Sequence, residues 1–398
     1  MLFEFSFYSS LLLVFFVHGS VYAFLLFRKG IANESMPEKW LSLFLLLCIL
    51  YIFPWMVGFA GWYNNQPYRD ILFYFPFQHL YLVGPVIFFY VQSLLNPSFS
   101  FQKRDLLHFL PGILYILYCV VMLITDKLIL KRYYFLEDGR DRDFDTWYQV
   151  TGYLSMIIYF FAGLLYYNRY KRVMIQLVSY ADSVSFRWVR NFLAAFLAML
   201  LVRSLLFVLG FFINLQYWDT WWYFLAFSLL FYYIAITGYA NAVVTKVPFR
   251  ISLFSRGPKL LVPSYEGSAL VEDVEVVSEA PGEEYHETWK EKVRLILEEE
   301  KLYEDPELSL PQLAKRLATN STVLSRAIKK GFGMNFNDCI NDYRVRAVLE
   351  KLANGEHRQQ TLLGIAFDCG FNSKATFNRA FKKNTGMSPK DWLRKAGL

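Results

Sequence analysis

Two groups of side chains toward the C-terminal end have the types and spacing to act on a polyanion. The first is Ser321, Thr322, Ser325, Arg326, Lys329 and Lys330; the second is Ser373, Lys374, Thr376, Asn378, Arg379, Lys382 and Lys383. Steps of three and four residues place each group on one side of a helix. A guanidinium or ammonium can donate to the O6 and N7 edge of guanine, while neighbouring lysines neutralise phosphates. Arg326, Lys374 and Arg379 are therefore the expected readers of base edges, and Lys329, Lys330, Lys382 and Lys383 the expected phosphate contacts. The surrounding chain is basic, with 16 Lys and Arg against 7 Asp and Glu in residues 306–398. A solvated basic surface would carry the same charge, so the choice rests on the elements that hold these groups.

Those elements read as two helix-turn-helix units. Ser309, Leu310, Pro311 and Gln312 make a capping-box pattern with proline near the helix start. The helix that follows would bury Leu310, Leu313, Ala314 and Leu317. After a turn at 318–320, Ser321 can cap STVLSRAIKKGF, which buries Leu324 and Ile328. A longer helix is expected over about 335–353, capped by Asn335 or Asp338. On it, Arg344 and Arg346 could reach phosphates or pair with acids, and structural pairing is expected for at least one. Then come TLLGIAFDCG, a turn at Gly370 and SKATFNRAFKK, with Ile365, Ala366, Phe371, Phe377 and Phe381 inward. Ser388 and Asp391 open a last short helix, and upstream Trp289, Val293, Ile296 and Leu297 form one stripe. A connecting helix of that length spans about 28 Å. That is close to the ~34 Å between successive major-groove faces, so two recognition helices could occupy adjacent grooves.

The strings LSLPQLAKRLATNSTVLSRAIKK, NFNDCINDYRV and GIAFDCGFNSKATFNRAFKKNTGMSP carry a family resemblance. Residues 289–396 resemble the C-terminal DNA-binding domain of AraC/XylS-type transcriptional regulators. The resemblance implies sequence-specific promoter binding through recognition helices at about 321–331 and 373–384. Many relatives carry an aromatic near the start of the second helix; here stand Lys374 and Ala375, so base preference does not carry over. The soluble effector domain of the familiar sugar-binding members is replaced by apolar sequence, so the chain looks like a membrane-anchored variant, and effectors do not transfer.

That apolar sequence dominates the composition. Of 398 residues 55% are hydrophobic and 19% aromatic, concentrated before Lys246. Seven stretches, about 5–27, 40–61, 71–95, 106–125, 147–168, 190–213 and 219–242, approach the roughly 20 apolar residues that a membrane span needs. With the N-terminus outside, the inner segments hold 12 Lys and Arg and the outer ones 6, which places the C-terminal end in the cytoplasm. Glu4 and the lack of a small-residue cleavage site argue against a cleaved signal peptide. Trp55, Trp62, Trp147, Trp218, Trp221 and Trp222 sit where interfacial aromatic belts form. Arg203, alone among apolar neighbours near mid-span, is a candidate sensor residue, with packing as its other reading. His79, near Pro76, is a second candidate. Cys48, Cys119, Cys339 and Cys369 lie too far apart for a zinc or disulfide pattern.

The expected fold class is thus all-α: a seven-helix transmembrane bundle (1–245), an acidic linker containing Pro and Gly (246–287) and a double helix-turn-helix domain (288–398). The acids of 266–287 form a self-repelling tether that could also compete with DNA. The expected function is a membrane-bound, sequence-specific transcription regulator whose bundle senses a signal. The alternative is an anchor or transporter-like bundle with a constitutive DNA-docking tail. No catalytic constellation, metal site or cofactor motif is present, so no enzyme is expected. The implied partners are promoter DNA, a lipid bilayer, a small-molecule or lipid signal and a second copy of the chain. The implied location is the bacterial inner membrane.

Overall fold

The computed structural model describes residues 3–77, 79–96, 99–137, 144–180, 186–240 and 283–396. Their regular elements are helices, joined by one isolated antiparallel bridge between Val178 and Ser309. The chain divides into two units: Met1–Tyr167 with Arg187–Arg250, and Asn168–Phe186 with Ile251–Leu398. The acidic linker lies outside the described residues as far as position 282.

The first unit is built from α1 (Phe7–Ala32), α2 (Met36–Gly58), α3 (Tyr68–Tyr74), α4 (Leu80–Leu95), α5 (Leu110–Leu123), most of α6 (Asp145–Leu177), α7 (Phe186–Phe212) and α8 (Trp221–Ala240). Ser6 starts α1 by accepting from the Ser9 amide while Ser9 returns the bond, a capping box that satisfies two otherwise orphaned donors. Six stretches are long and apolar enough to cross a membrane: Phe7–Ala32, Met36–Gly58, Lys103–Ile129, Asp145–Leu177, Arg187–Gly210 and Tyr217–Ala240.

The expected stretch 71–95 is divided. Proline lacks an amide proton and pushes the preceding residue out of helical geometry; accordingly Phe75, before Pro76, has ψ 125° and ends α3. What remains, α4, has 16 residues, about 24 Å at 1.5 Å per residue. It nevertheless passes along the bundle. Phe77, just before α4, lies 4.9 Å from Phe53 near the end of α2, whereas Phe89 lies 5.3 Å from Trp40 near the start of α2. α1 and α8 run parallel: Tyr8 meets Trp221 near their starts, and Tyr22 meets Tyr239 further along. Glu4 donates its backbone amide to the Ala60 carbonyl. The start of the chain and the end of α8 thus lie at opposite ends of the bundle. Large apolar side chains stay exposed along α1 (Val14, Val17, Val21, Phe24), α5 (Leu114, Leu117, Val121) and α7 (Leu201, Leu205, Val208), a surface suited to lipid rather than water.

The second unit contains the last turns of α6, then α9 (Glu283–Glu299), α10 (Leu310–Arg316), α11 (Ser321–Gly331), α12 (Phe336–Ala353), α13 (Leu362–Asp368), α14 (Lys374–Thr385) and α15 (Pro389–Ala396). The capping box at Ser309 and Gln312 forms, Asn335 caps α12, and Ser388 accepts from the Asp391 amide. Ser321 does not cap α11. Asn320 does, accepting from the Val323 amide at 2.8 Å; it is the last residue with extended backbone, and Ser321 is already helical. Val293 and Leu297 are buried on α9, with Trp289 and Ile296 half-buried beside them. The second core joins Val345, Val348 and Leu352 of α12 to Ile365, Ala366, Phe371, Phe377 and Phe381, with Trp392 packed against it.

Gly370 turns the chain between α13 and α14 at φ +89°, a left-handed conformation that favours glycine. A Cβ there would stand 2.3 Å from the Tyr303 carbonyl oxygen. Gly370→Ala is therefore expected to destabilise this domain by about 2 kcal/mol or more. Hydrogen exchange across 362–385 in the full-length protein would read the loss; unchanged protection would contradict this account.

Candidate nucleic-acid interface

The two units place α11 and α14 on the turns their sequences demand. α11 buries Leu324, Ala327 and Ile328 and leaves Thr322, Arg326, Lys329 and Lys330 exposed, with Ser321 and Ser325 half-exposed. α14 buries Phe377, Ala380 and Phe381 and exposes Lys374, Ala375, Asn378, Arg379, Lys382 and Lys383. The faces repeat residue for residue. Ser325, Arg326, Lys329 and Lys330 stand on α11 where Asn378, Arg379, Lys382 and Lys383 stand on α14, around Ala327–Ile328 and Ala380–Phe381 in the two cores. Both faces combine one arginine with lysines one turn apart, the pairing that base-edge readout and phosphate neutralisation require.

Three residues sit differently from their sequence reading. Thr376 is buried, and its hydroxyl shares a 2.8 Å hydrogen bond with Ser373. It is the third residue of α14, so it turns back toward the cap and cannot face DNA. Ser373 is committed to capping, accepting from the Thr376 amide. Lys383 pairs with Asp338 at 2.7 Å, so part of its charge is spent on joining α14 to α12. Sequence reading also left out Ala375, the residue matching Thr322; its exposed methyl suits a thymine methyl. The signal was present in the three- and four-residue period, but alanine carries no polar chemistry to draw attention. Arg379 borders a cleft of about 360 Å³ with Asn335, Asp338 and Lys383. Partial burial holds its guanidinium below its usual range.

Behind these faces, α12 is fixed by Arg344, of which 1% is exposed. Its guanidinium donates to the carbonyls of Tyr303 and Asp305, both at 2.7 Å, to the Ser179 hydroxyl at 2.9 Å and to Asn341 Oδ1 at 3.2 Å. It also lies 5.8 Å from the Phe371 ring centre. Arg344 is thus structural. Arg346 pairs with Asp342 at 2.6 Å, the expected acid pairing. One helical turn and two turns before Arg344 stand Asn341 and Asn337. Asn337 donates to the carbonyls of Val178 and Ser179, and Asn341 to that of Ser179. The Ser179 amide and hydroxyl both donate to the Leu308 carbonyl. This short segment follows directly on α6, and no periodicity in the sequence marks it. Burial pushes the Cys339 thiol up to about 12 and the Cys369 thiol up to about 11, so both stay protonated as small core residues.

The two candidate sensor residues belong to the first unit and share no hydrogen bond. His79 precedes α4. Arg203 donates to the Tyr51 hydroxyl and to Gln149 Oε1, and lies 5.9 and 5.8 Å from the ring centres of Tyr51 and Tyr153. No carboxylate pairs with it among the described residues.

Comparison with known proteins agrees with the helical geometry. Residues 313–395 match a family model described as a helix-turn-helix domain, of the AraC type. No curated protein matches the chain. A solved structure of a protein of unknown function from Listeria innocua is 29% identical, covers 26% of this chain and 93% of its own, and gives a TM-score of 0.24.

The interface geometry separates the lysines. Lys329→Ala and Lys382→Ala are each expected to weaken binding to all DNA sequences alike and to reduce the salt slope by about 1. Lys383→Ala, with its ammonium held by Asp338, should change the slope by less. Arg326→Ala should cost about 1–3 kcal/mol at one base pair and relax choice there. Fluorescence anisotropy with salt titration on specific and scrambled duplexes distinguishes these; equal slopes for Lys382→Ala and Lys383→Ala would refute the assignment.

Proposed function

We propose, from the premise that residues 313–395 are the helix-turn-helix domain of an AraC-type transcription regulator, that the whole chain is a membrane-bound regulator whose apolar bundle senses a signal. Promoter DNA is the partner of α11 and α14, and a lipid bilayer the partner of the exposed apolar faces of α1, α5 and α7. The N-terminus would lie outside and the DNA-binding domain in the cytoplasm, in keeping with the excess of Lys and Arg in the inner segments. A second copy of the chain would fit the usual two-site reading of promoters.

One observation favours sensing over simple anchoring. α6 is continuous from Asp145 to Leu177, and the two residues after it are held by Asn337, Asn341 and Arg344 on α12. A plain tether would need no such grip. α12 is the helix that spaces the two recognition helices. Within the second unit, the end of α6 cannot shift without breaking this buried polar ladder, which is costly, or carrying α12 with it. A signal acts on such an equilibrium only by binding one state better than the other.

Two measurements test this. Replacing residues 1–245 by one unrelated membrane span should leave promoter occupancy in genome-wide binding but abolish its response to growth conditions; a retained response would reject sensing in favour of an anchor. The variant Asn337→Ala should keep operator affinity within about threefold, since Asn337 is neither on a DNA face nor a partner of Arg344, while losing much of the response.

A further inference from the structure

At the end of the first unit where the chain begins, the bundle forms an open cavity of about 780 Å³. That is the size of a small-molecule site. Its walls are rich in aromatic rings, among them Trp55, Phe73, Tyr115, Phe144, Tyr217 and Trp218. Trp55 and Tyr217 lie nearly parallel, 5.4 Å apart. The break between α3 and α4 contributes Phe75, Pro76 and Phe77 to the same wall.

Two features of the lining call for a ligand. Trp55 Nε1 and the Tyr217 hydroxyl are buried and, among the described residues, have no hydrogen-bond partner. Buried donors in native proteins are normally satisfied, so an acceptor is expected opposite them. Among the described residues Asp145 is the one charged residue in the lining, and no cation pairs with it. Its recorded neighbour is Gln149, whose amide donates to it at 3.3 Å while accepting from Arg203 on the other side. Arg203 stands behind Gln149 and is not part of this wall. Among the described residues the cavity thus offers aromatic faces, one carboxylate and no positive group. Ring faces attract cations and repel anions.

We propose that this cavity binds an organic cation: an amine or quaternary ammonium group near Asp145 and the rings, on an apolar body that carries an oxygen acceptor for Trp55 Nε1. This rests on the reading of the bundle as a sensor and supplies the class of its signal. An anionic or purely hydrocarbon ligand would leave the carboxylate, or the orphaned donors, without a partner.

The test uses the full-length protein in lipid nanodiscs and calorimetric titration. The probes are benzoylcholine, which has a cation, an ester oxygen and a ring, and its neutral carbon isostere 3,3-dimethylbutyl benzoate. Benzoylcholine is expected to bind saturably and at least about tenfold more tightly than the isostere. Asp145→Asn, at an exposed position hydrogen-bonded to Gln149 on its own helix, should remove most of that preference. Trp55→Phe, which keeps a ring but loses the donor, should weaken benzoylcholine severalfold. Equal affinity for the two probes, no saturable binding of either at millimolar concentration, or an Asp145→Asn variant that keeps the preference would each overturn the proposal. Binding as expected with no change in promoter occupancy would leave the site standing and reject signalling through it.

Discussion

The second unit depends on one buried charge. The Arg344 guanidinium is removed from water with no carboxylate in ion-pair contact among the described residues. Burial pushes it down to about 9, so it remains charged at neutral pH. A charge in that position is tolerable only when every donor finds an oxygen, and the planar fork makes this possible. Its partners come from three places: the turn at 303–305, the segment after α6, and α12 itself. The Phe371 ring, next to the turn glycine of the second helix-turn-helix, covers it from another side. A lysine could not make the same set of bonds from one point charge. The position of α12, and with it the spacing of the recognition helices, follows from this convergence.

The first unit solves a similar problem with Arg203. There too the guanidinium is held by neutral oxygens, those of Tyr51 and Gln149, and by tyrosine rings. Several other polar groups of the bundle are linked in pairs: Tyr51 to Tyr223, Trp188 to Tyr90, Gln149 to Asp145. Pro76 adds a second constraint. By ending α3 it shortens α4, and by opening the chain it turns three residues toward a cavity. One backbone restriction therefore accounts for the short pass and for part of the lining.

On the DNA-binding side, the same division between structure and readout appears within single helices. Ser373 and Thr376 serve the start of α14, Lys383 ties it to α12, and Arg379 leans toward that junction. The exposed side of α11 carries Thr322, Arg326 and Lys329 at its centre, and that of α14 carries Lys374, Ala375, Asn378 and Lys382. Of the cations on α14, Lys383 is thus tied by an ion pair to the domain itself.

The sequence determined what is local. Helix periods, capping boxes and the turn at Gly370 act within about four residues, so α11, α12 and α14 were legible to within a residue at their ends, as were the caps at Ser309 and Asn335. Apolar length marked the bundle for the same reason. The tertiary structure decided what depends on distant partners. Lys383 meets Asp338, Arg344 meets Ser179 and Tyr303, and Trp55 meets Tyr217 across long stretches of chain. It also decided that Thr376 turns inward and that Asn320 caps in place of Ser321, since both follow from where the helix actually starts. Such contacts leave no period in the sequence. They arise because a close-packed interior fixes each buried polar group by neighbours that only folding brings near.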